Sequence, residues 1–170
     1  MLKTLPPLAA AALLAATGVL AQEAAPAPQE IEATFTWTSV DISSVPMGES
    51  QEAFVAENFM VVSATEGPLA GLAGRCLFAG VADLATMGFE DTGTCVYQDA
   101  TGDQLWERVE GASAGNGAPY RGTGTWIGGT GRFEGASGEI TVDTTFSAMP
   151  REGVYQGTGT KRGTLVLPAG

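Results

Sequence analysis

The chain has 170 residues, no histidine, two cysteines and a formal net charge of −11. Without histidine, neither a Ser-His-Asp nor a Cys-His catalytic arrangement can form, and histidine-ligated zinc, copper and haem sites are excluded. A surface this acidic repels the phosphates of nucleic acids and anionic lipid headgroups, so we expect no nucleic-acid partner.

The N-terminal 21 residues have the pattern of a secretory signal peptide. Lys3 precedes an apolar run over residues 8–20, and the small residue Ala21 marks the predicted cleavage point. The run is shorter than the ~20 residues that a membrane-spanning helix needs, so a retained anchor is the less favoured alternative. Residues 22–30 are polar and rich in Pro and Ala, which predicts a flexible linker. We therefore expect one domain, residues 31–170, that is secreted or periplasmic.

From residue 31 onward, apolar and polar residues alternate with a period of two, which is typical of strands with one buried face. Turn residues such as Gly, Asn, Asp and Pro separate the runs. The predicted strands are 31–38, 52–63, 75–84, 93–98, 104–110, 120–127, 138–147 and 154–167. Strands in up-and-down order predict an all-β fold, a single eight-stranded antiparallel closed barrel, with a β-sandwich as the alternative.

Cys76 and Cys95 are the two cysteines of the chain. In a protein predicted to reach an oxidising compartment, they favour a disulfide. Closing a loop of about twenty residues in this way contributes about 3 kcal/mol to stability. The alternative is one reactive thiol beside a bystander.

A short internal repeat is visible in the second half of the chain. The sequence YRGTGT, which begins at Tyr120, recurs as YQGTGT from Tyr155. In an extended chain, the tyrosine and both glycines of each copy share a face. Each copy therefore opens a track without side chains beside an aromatic ring. This suits a strongly coiled barrel strand or close packing of a bulky neighbour such as Trp126.

Aromatic and charged side chains on the strands are candidates to line a ligand cavity. In the run 104–110, Trp106, Arg108 and Glu110 share one face. If the barrel encloses a cavity, we expect polar contacts to a ligand from charged residues and walls from aromatic ones. The candidates are Arg108, Glu110 and Arg121 for the contacts, and Trp37, Tyr97, Trp106 and Trp126 for the walls. The alternative is that the charges form the solvated faces of their strands.

Two acidic pairs could in principle offer oxygen ligands to calcium. Asp99 and Asp103 flank a glycine turn, and Glu90 and Asp91 precede the second cysteine. Neither spacing matches a calcium loop, and aspartates in turns usually bond their own backbone. The sequence therefore predicts no metal site and no cofactor.

The glycine-rich stretch IGGTGRFEGASGEI, residues 127–140, resembles a phosphate-binding loop at first sight. The dinucleotide motif fails because Glu134 stands where the third glycine is needed, and a strand rather than a helix follows Gly138. We interpret the stretch as a corner between two barrel strands. Glycines supply its turn conformations, and Phe133 plugs the barrel.

The residues from Tyr120 to Ile140 are similar to the signature of the allene oxide cyclase and dirigent-like barrel family. In that family, a strand that ends in Gly-Gly-Thr-Gly, then an aromatic residue and small residues, forms a hairpin of an eight-stranded calycin-like barrel. The matching positions are Gly128, Gly129, Thr130, Gly131, Phe133, Gly135, Ala136 and Gly138. Ser137 stands where plant members commonly have arginine. The resemblance implies a secreted bacterial member with a central cavity. For the plant members it implies cyclisation or stereochemical guidance of apolar or phenolic substrates.

These observations leave three function hypotheses. The first is an exported barrel that binds a small apolar or aromatic molecule in its lumen. The second is a cyclase or isomerase type of enzyme, which needs an ionisable group inside the cavity. The third is a structural or interaction protein of the cell envelope with a packed lumen and stable self-association. We expect no stable membrane insertion, because the strands are short and rich in Thr and Gly.

Overall fold

The computed structural model describes residues 26–64 and 66–168, and these residues form a closed barrel. Eight antiparallel strands follow one another in chain order, and the last strand pairs with the first. The strands are β1 (Gln29–Met47), β2 (Gln51–Val62), β3 (Ala73–Asp83), β4 (Gly88–Gln98), β5 (Gln104–Ser113), β6 (Tyr120–Gly129), β7 (Gly138–Arg151) and β8 (Val154–Leu165). The all-β, eight-stranded antiparallel closed barrel predicted from the sequence is confirmed.

The first strand differs most from its predicted length. The alternation ends near residue 38, yet β1 continues to Met47 because residues 39–47 pair with β2. A register shift between Asp41 and Ser43 interrupts that pairing, and the side chains from Asp41 onward are exposed. Since these residues bury no face, their sequence carries no period of two.

The two ends of the barrel differ. The hairpins β1–β2, β3–β4, β5–β6 and β7–β8 lie at one end, which we call the open end. At the other, closed end, the β2–β3 loop buries Leu69 and Leu72. A short 3₁₀ turn, Gly131–Phe133, buries Phe133 beside them. The prediction that Phe133 plugs the barrel is therefore confirmed.

Glycines shape the corner that leads into this turn. Gly128 and Gly131 have φ angles of 126° and 55°, which favour glycine. Gly129 is required for a different reason, because a Cβ there would overlap the Gln104 carbonyl and Phe133. The stretch is thus a strand corner, as predicted.

Cys76 and Cys95 form a disulfide between directly paired positions of β3 and β4. Both residues are buried, so the predicted bridge is confirmed. It is consistent with an oxidising compartment. In the part of the chain that the structure describes, no helix has the length and apolar character to cross a bilayer.

The predicted signal peptide, residues 1–21, lies outside the described residues. Residues 22–25 of the predicted linker, residues 22–30, lie outside them too. Its last two residues are already in β1, since Gln29 and Glu30 pair with Leu165 and Thr164 of β8. The barrel therefore begins slightly before the predicted domain boundary.

The repeated glycines lie on the inner face of the barrel and make room for large rings. A Cβ on Gly157 would overlap the indole of Trp37, and one on Gly159 would overlap the ring of Phe35. The predicted close packing is thus present in the second copy of the repeat. The bulky neighbours come from β1, however, and not from Trp126.

Candidate functional site

A chamber of about 510 Å³ occupies the open half of the barrel. Its upper wall includes residues of the hairpins at the open end, such as Met87 and Met149. Deeper in the barrel, its wall reaches Val109 and Lys161. The volume lies within the range of roughly 300–1,000 Å³ that is common for small-molecule sites.

Aromatic rings form much of the chamber wall. Phe89 stacks on Tyr120 with 5.8 Å between the ring centroids and meets Phe54 edge-on at 6.0 Å. Phe146 makes edge-on contacts to Phe89 at 6.3 Å, to Trp37 at 5.0 Å and to Tyr155 at 6.2 Å. The six rings are therefore one connected cluster, which we call the aromatic wall: Trp37, Phe54, Phe89, Tyr120, Phe146 and Tyr155.

A carboxylate and a phenol are paired within this wall. Asp91 lies on the inward side of β4, two residues after Phe89, and the Tyr120 hydroxyl donates to Asp91 Oδ1 over 3.0 Å. Burial raises the pKa of Asp91 to about 6, although the hydrogen bond from Tyr120 opposes the rise. Burial and the nearby Asp91 raise the pKa of Tyr120 far above its ordinary value. The pair thus places a carboxyl that titrates near neutral pH beside a neutral phenol.

Two more carboxylates line the chamber nearer its mouth. Asp41 is exposed on β1, and Glu52 is half-buried on β2. Partial burial raises the pKa of Asp41, the Tyr155 hydroxyl lowers it, and Glu52 raises it again. The chamber therefore carries acidic groups at two depths.

A buried polar network lies at the floor of the chamber. Lys161 Nζ donates to the two carboxylate oxygens of Glu107 over 2.7 and 2.8 Å, and the Tyr97 hydroxyl donates to Glu107 Oε2 over 2.7 Å. All three residues are at most 2% exposed. Lys161 Nζ also lies 5.4 Å from the centroid of the Phe35 ring. Burial and the Glu107 carboxylate raise the pKa of Tyr97 well above its ordinary value.

Two buried polar atoms of chamber residues have no hydrogen-bond partner among the described residues. They are the donor Trp37 Nε1 on β1 and the acceptor Asn58 Oδ1 on β2. A buried donor or acceptor without a partner costs about 1–3 kcal/mol. Both atoms are themselves buried, so each lowers the stability of the wall in which it lies.

The structure separates the predicted cavity residues into two groups. Trp37 lines the chamber. Tyr97 and Trp126 are buried inside the barrel below it, with 6.2 Å between their ring centroids. Trp106 lies on the outer face, where its indole covers Gly128.

The prediction that Arg108, Glu110 and Arg121 make polar contacts to a ligand in the cavity was wrong, because their side chains do not face the chamber. Arg108 and Glu110 are exposed on the outside of β5, and Arg121 faces Asp143 on the surface with 3.6 Å between the charged groups. These side chains belong to the solvated faces of their strands, which was the alternative expectation from the sequence. The side chains of β5 that face the barrel interior are instead those of Leu105, Glu107 and Val109.

The alternation of inward and outward residues along each strand could also have identified the ionisable residues of the interior. Glu107 lies midway between Leu105 and Val109, both apolar and on one face. Lys161 takes the seventh position of the second repeat copy, where the first copy has Trp126. Asp91 shares its parity with the buried Cys95. No sequence signal, however, distinguishes the chamber from the filled half.

The described residues contain no cluster of three or more Asp, Glu or Cys side chains placed to hold a metal ion. Asp99 accepts hydrogen bonds from the backbone of Thr101 and Asp103 and from Arg132 Nε. The Thr101 hydroxyl, which donates to Asp99 Oδ1 over 2.7 Å, lowers the pKa of Asp99 most, and the bonds from Arg132 and the backbone lower it further. Its oxygens are thus engaged in its own hairpin and in an ion pair.

Comparison with solved structures relates this barrel to dirigent proteins. The pterocarpan synthase dirigent protein GePTS1 is 14% identical with a TM-score of 0.51, over 84% of this chain and 90% of that chain. The pterocarpan synthase dirigent protein PsPTS1 is 12% identical with a TM-score of 0.48, over 84% of this chain and 97% of that chain. No family model and no curated protein matches the sequence. At this level of identity the likeness concerns the fold, and the dirigent-like barrel predicted from the glycine corner fits it.

Proposed function

We propose that this protein is an exported barrel that binds a small apolar or aromatic molecule in its chamber. The observation that carries the proposal is the chamber of about 510 Å³ with its connected aromatic wall. Eight-stranded barrels are just wide enough to be filled by their own side chains or to hold one small ligand. Here one half is filled and the other half is hollow, which favours ligand binding over a purely structural role.

The fold neighbour supports the same broad role. GePTS1 is described as a pterocarpan synthase dirigent protein. A barrel with this architecture and a hollow end suits the binding or guiding of a small molecule. The chemistry of the molecule must come from the residues of this chain, since a shared fold does not carry an activity.

A neutral fluorescent probe, N-phenyl-1-naphthylamine, tests the proposal. Titrated into purified protein, it should bind with one site per chain and with enhanced fluorescence. The variant Ala56→Trp places a large ring in the chamber wall and should weaken binding by at least about tenfold. The control Ala112→Trp adds the same ring to the outside of β5, where Ala112 is exposed, and should leave binding unchanged.

The outcome of this titration is decisive when both variants are folded, which thermal unfolding establishes. Absence of probe binding to the native protein would contradict the proposal. Equal loss in Ala56→Trp and Ala112→Trp would contradict the location of the site.

A second candidate function is acid–base catalysis of the isomerase or cyclase type. The specific observation is the Asp91–Tyr120 pair, because a carboxyl with a pKa of about 6 is suited to accept a proton near neutral pH. The phenol of Tyr120 is neutral and can stabilise an oxygen on which negative charge develops, once it turns from Asp91 to the substrate.

Proton exchange in an apolar ketone tests this second candidate. We expect the native protein to accelerate deuterium exchange at C1 of 2-tetralone in D₂O, measured by NMR. Asp91→Asn should abolish the acceleration and retain binding of the neutral probe. Exchange no faster than in buffer would remove the catalytic candidate and leave the binding function intact.

The proposed export rests on the predicted signal peptide and on the disulfide. Mass spectrometry of the protein from the secreted or periplasmic fraction should find Gln22 as the N-terminal residue. Recovery of chains that begin at Met1 from the cytosol, with both thiols reduced, would contradict it.

A further inference from the structure

The charges on the chamber wall are mostly negative. Asp41, Glu52 and Asp91 line it, and Lys161 is the basic residue among the lining side chains. Lys161 is already bonded to both oxygens of Glu107. The charges of Lys161 and Glu107 at the floor therefore cancel. The uncompensated charge of the chamber comes from the carboxylates of its wall.

No arginine or lysine of the described residues compensates these carboxylates. The ion pairs within residues 26–64 and 66–168 join Arg75 to Glu57, Arg121 to Asp143, Arg132 to Asp99, Lys161 to Glu107 and Arg162 to Glu32. None of them includes a carboxylate of the chamber. Burial accordingly raises the pKa of both Asp41 and Asp91, as expected of carboxyls without a cationic partner.

The aromatic wall adds attraction for positive charge. The faces of Phe, Tyr and Trp rings carry partial negative charge and attract cations within about 6 Å of the ring centroid. Phe89 and Tyr120 stack beside Asp91, and Phe146 and Tyr155 lie on the side where Asp41 is found. Rings and carboxylates thus alternate around one space.

The wall also contains buried polar atoms without a hydrogen-bond partner among the described residues. Trp37 is 7% exposed, and its indole N–H has no partner. On the adjacent strand, Asn58 Oδ1 is an acceptor without a donor. Both atoms are buried in the wall, so the polar groups that a ligand meets in the chamber are the carboxylates.

We propose that the molecule bound in the chamber is an organic cation, a protonated or quaternary amine attached to an apolar or aromatic body. The positive group lies among Asp91, Asp41 and the aromatic wall, and the apolar body fills the rest of the chamber. This inference rests on the proposed function, since it specifies the charge of the ligand that the chamber takes. An anionic ligand is excluded by the same carboxylates, because no free cation faces it from the described wall.

Three probes with one skeleton and different charges test the inference. They are 1-naphthylmethylamine, which is cationic, 1-naphthalenemethanol, which is neutral, and 1-naphthoic acid, which is anionic. Calorimetric titration at pH 7.5 and low salt should give affinities in that order. We expect the amine to bind about tenfold or more tightly than the alcohol, and the acid to show no binding.

Variants locate the charge that makes the difference. Asp91→Asn should lower the ratio of the amine affinity to the alcohol affinity about tenfold. Glu90→Gln is the matched control, because Glu90 is the neighbouring residue on β4 and is exposed outside the barrel. It should leave both affinities unchanged. If Asp91→Asn does not fold, Asp41→Asn at the chamber mouth serves in its place.

The outcomes distinguish the two proposals. Equal affinities for the three probes, or a preference for the acid, would overturn the cation inference and keep the binding function. Binding of none of the probes, including N-phenyl-1-naphthylamine, would overturn the binding function itself. An equal effect of Glu90→Gln and Asp91→Asn on the amine would also overturn the inference, since it would show a general surface charge effect.

Discussion

The Tyr120 hydroxyl donates a hydrogen bond to Asp91 over 3.0 Å inside a chamber that is otherwise rich in aromatic rings. The two residues come from strands that are not neighbours, β4 and β6, and they meet because both face inward. A carboxylate so placed is partly removed from water and has a phenol, but no protein cation, to offset its charge. This arrangement lowers stability at neutral pH, and in the proposed function the charge is available to a ligand.

The stability cost of Asp91 should depend on pH. Because its pKa in the folded protein, about 6, exceeds its value of 3.8 in the absence of the fold, the ionised group destabilises the protein above pH 6. The cost is about 3 kcal/mol and is relieved as the pH falls from 6 towards 4. Asp91→Asn should therefore be more stable than the native protein at pH 7.5, and this advantage should vanish near pH 4. Urea unfolding at both pH values measures it, and an advantage independent of pH would contradict the account.

The Lys161–Glu107 ion pair should show strong coupling. Removal of one partner leaves a charge buried at the barrel centre, so Lys161→Met alone should lower the free energy of unfolding by about 3–5 kcal/mol. Adding Glu107→Gln to Lys161→Met removes the orphaned charge and keeps an acceptor for Tyr97. The double variant should be more stable than Lys161→Met. Chemical denaturation of the four proteins of the cycle checks this, and additive losses would refute it.

The disulfide should contribute to stability through the loop that it closes. Cys76 and Cys95 are 19 residues apart, and a loop of this length predicts a loss of about 3 kcal/mol when both are changed to alanine. Reduction of the native protein should bring its unfolding midpoint close to that of the double variant. An unchanged midpoint in the double variant would contradict the role of the bridge.

The charges on the outer surface should be dispensable. Arg108→Gln, Glu110→Gln and Arg121→Gln each change an exposed side chain, so each should alter the free energy of unfolding by about 0.5 kcal/mol or less. Binding of N-phenyl-1-naphthylamine should be the same as in the native protein. A marked loss of probe binding in any of the three variants would contradict the conclusion that its residue lies outside the site.

The fold could be predicted from the sequence because the barrel strands repeat one physical rule. Inward residues such as Phe35 and Trp37 alternate with threonine and glutamate, and glycine-rich turns mark the ends. The second half of β1 was missed since its side chains are exposed, although its backbone pairs with β2. Alternation of apolar and polar residues arises from the burial of one face of a strand. It therefore cannot identify a strand segment whose side chains are all exposed.

The site was less predictable because parity gives the face of a residue and not its depth. Trp37, predicted as a wall residue, lines the chamber, whereas Arg108, predicted to face a ligand, is exposed on the outer side of β5. Glu107 was overlooked because a charged residue on an apolar face contradicts the usual pattern. Its partner Lys161 comes from β8, 54 residues away in the chain, and only the closed barrel brings the two together.

The most direct test of the binding function is a crystal structure of the protein with N-phenyl-1-naphthylamine. We expect one probe molecule in the chamber, in contact with Phe89 and Phe146 and within the space bounded by Trp37 and Lys161. A probe bound only on the outer wall, or a barrel whose side chains fill the space between these four residues, would contradict it.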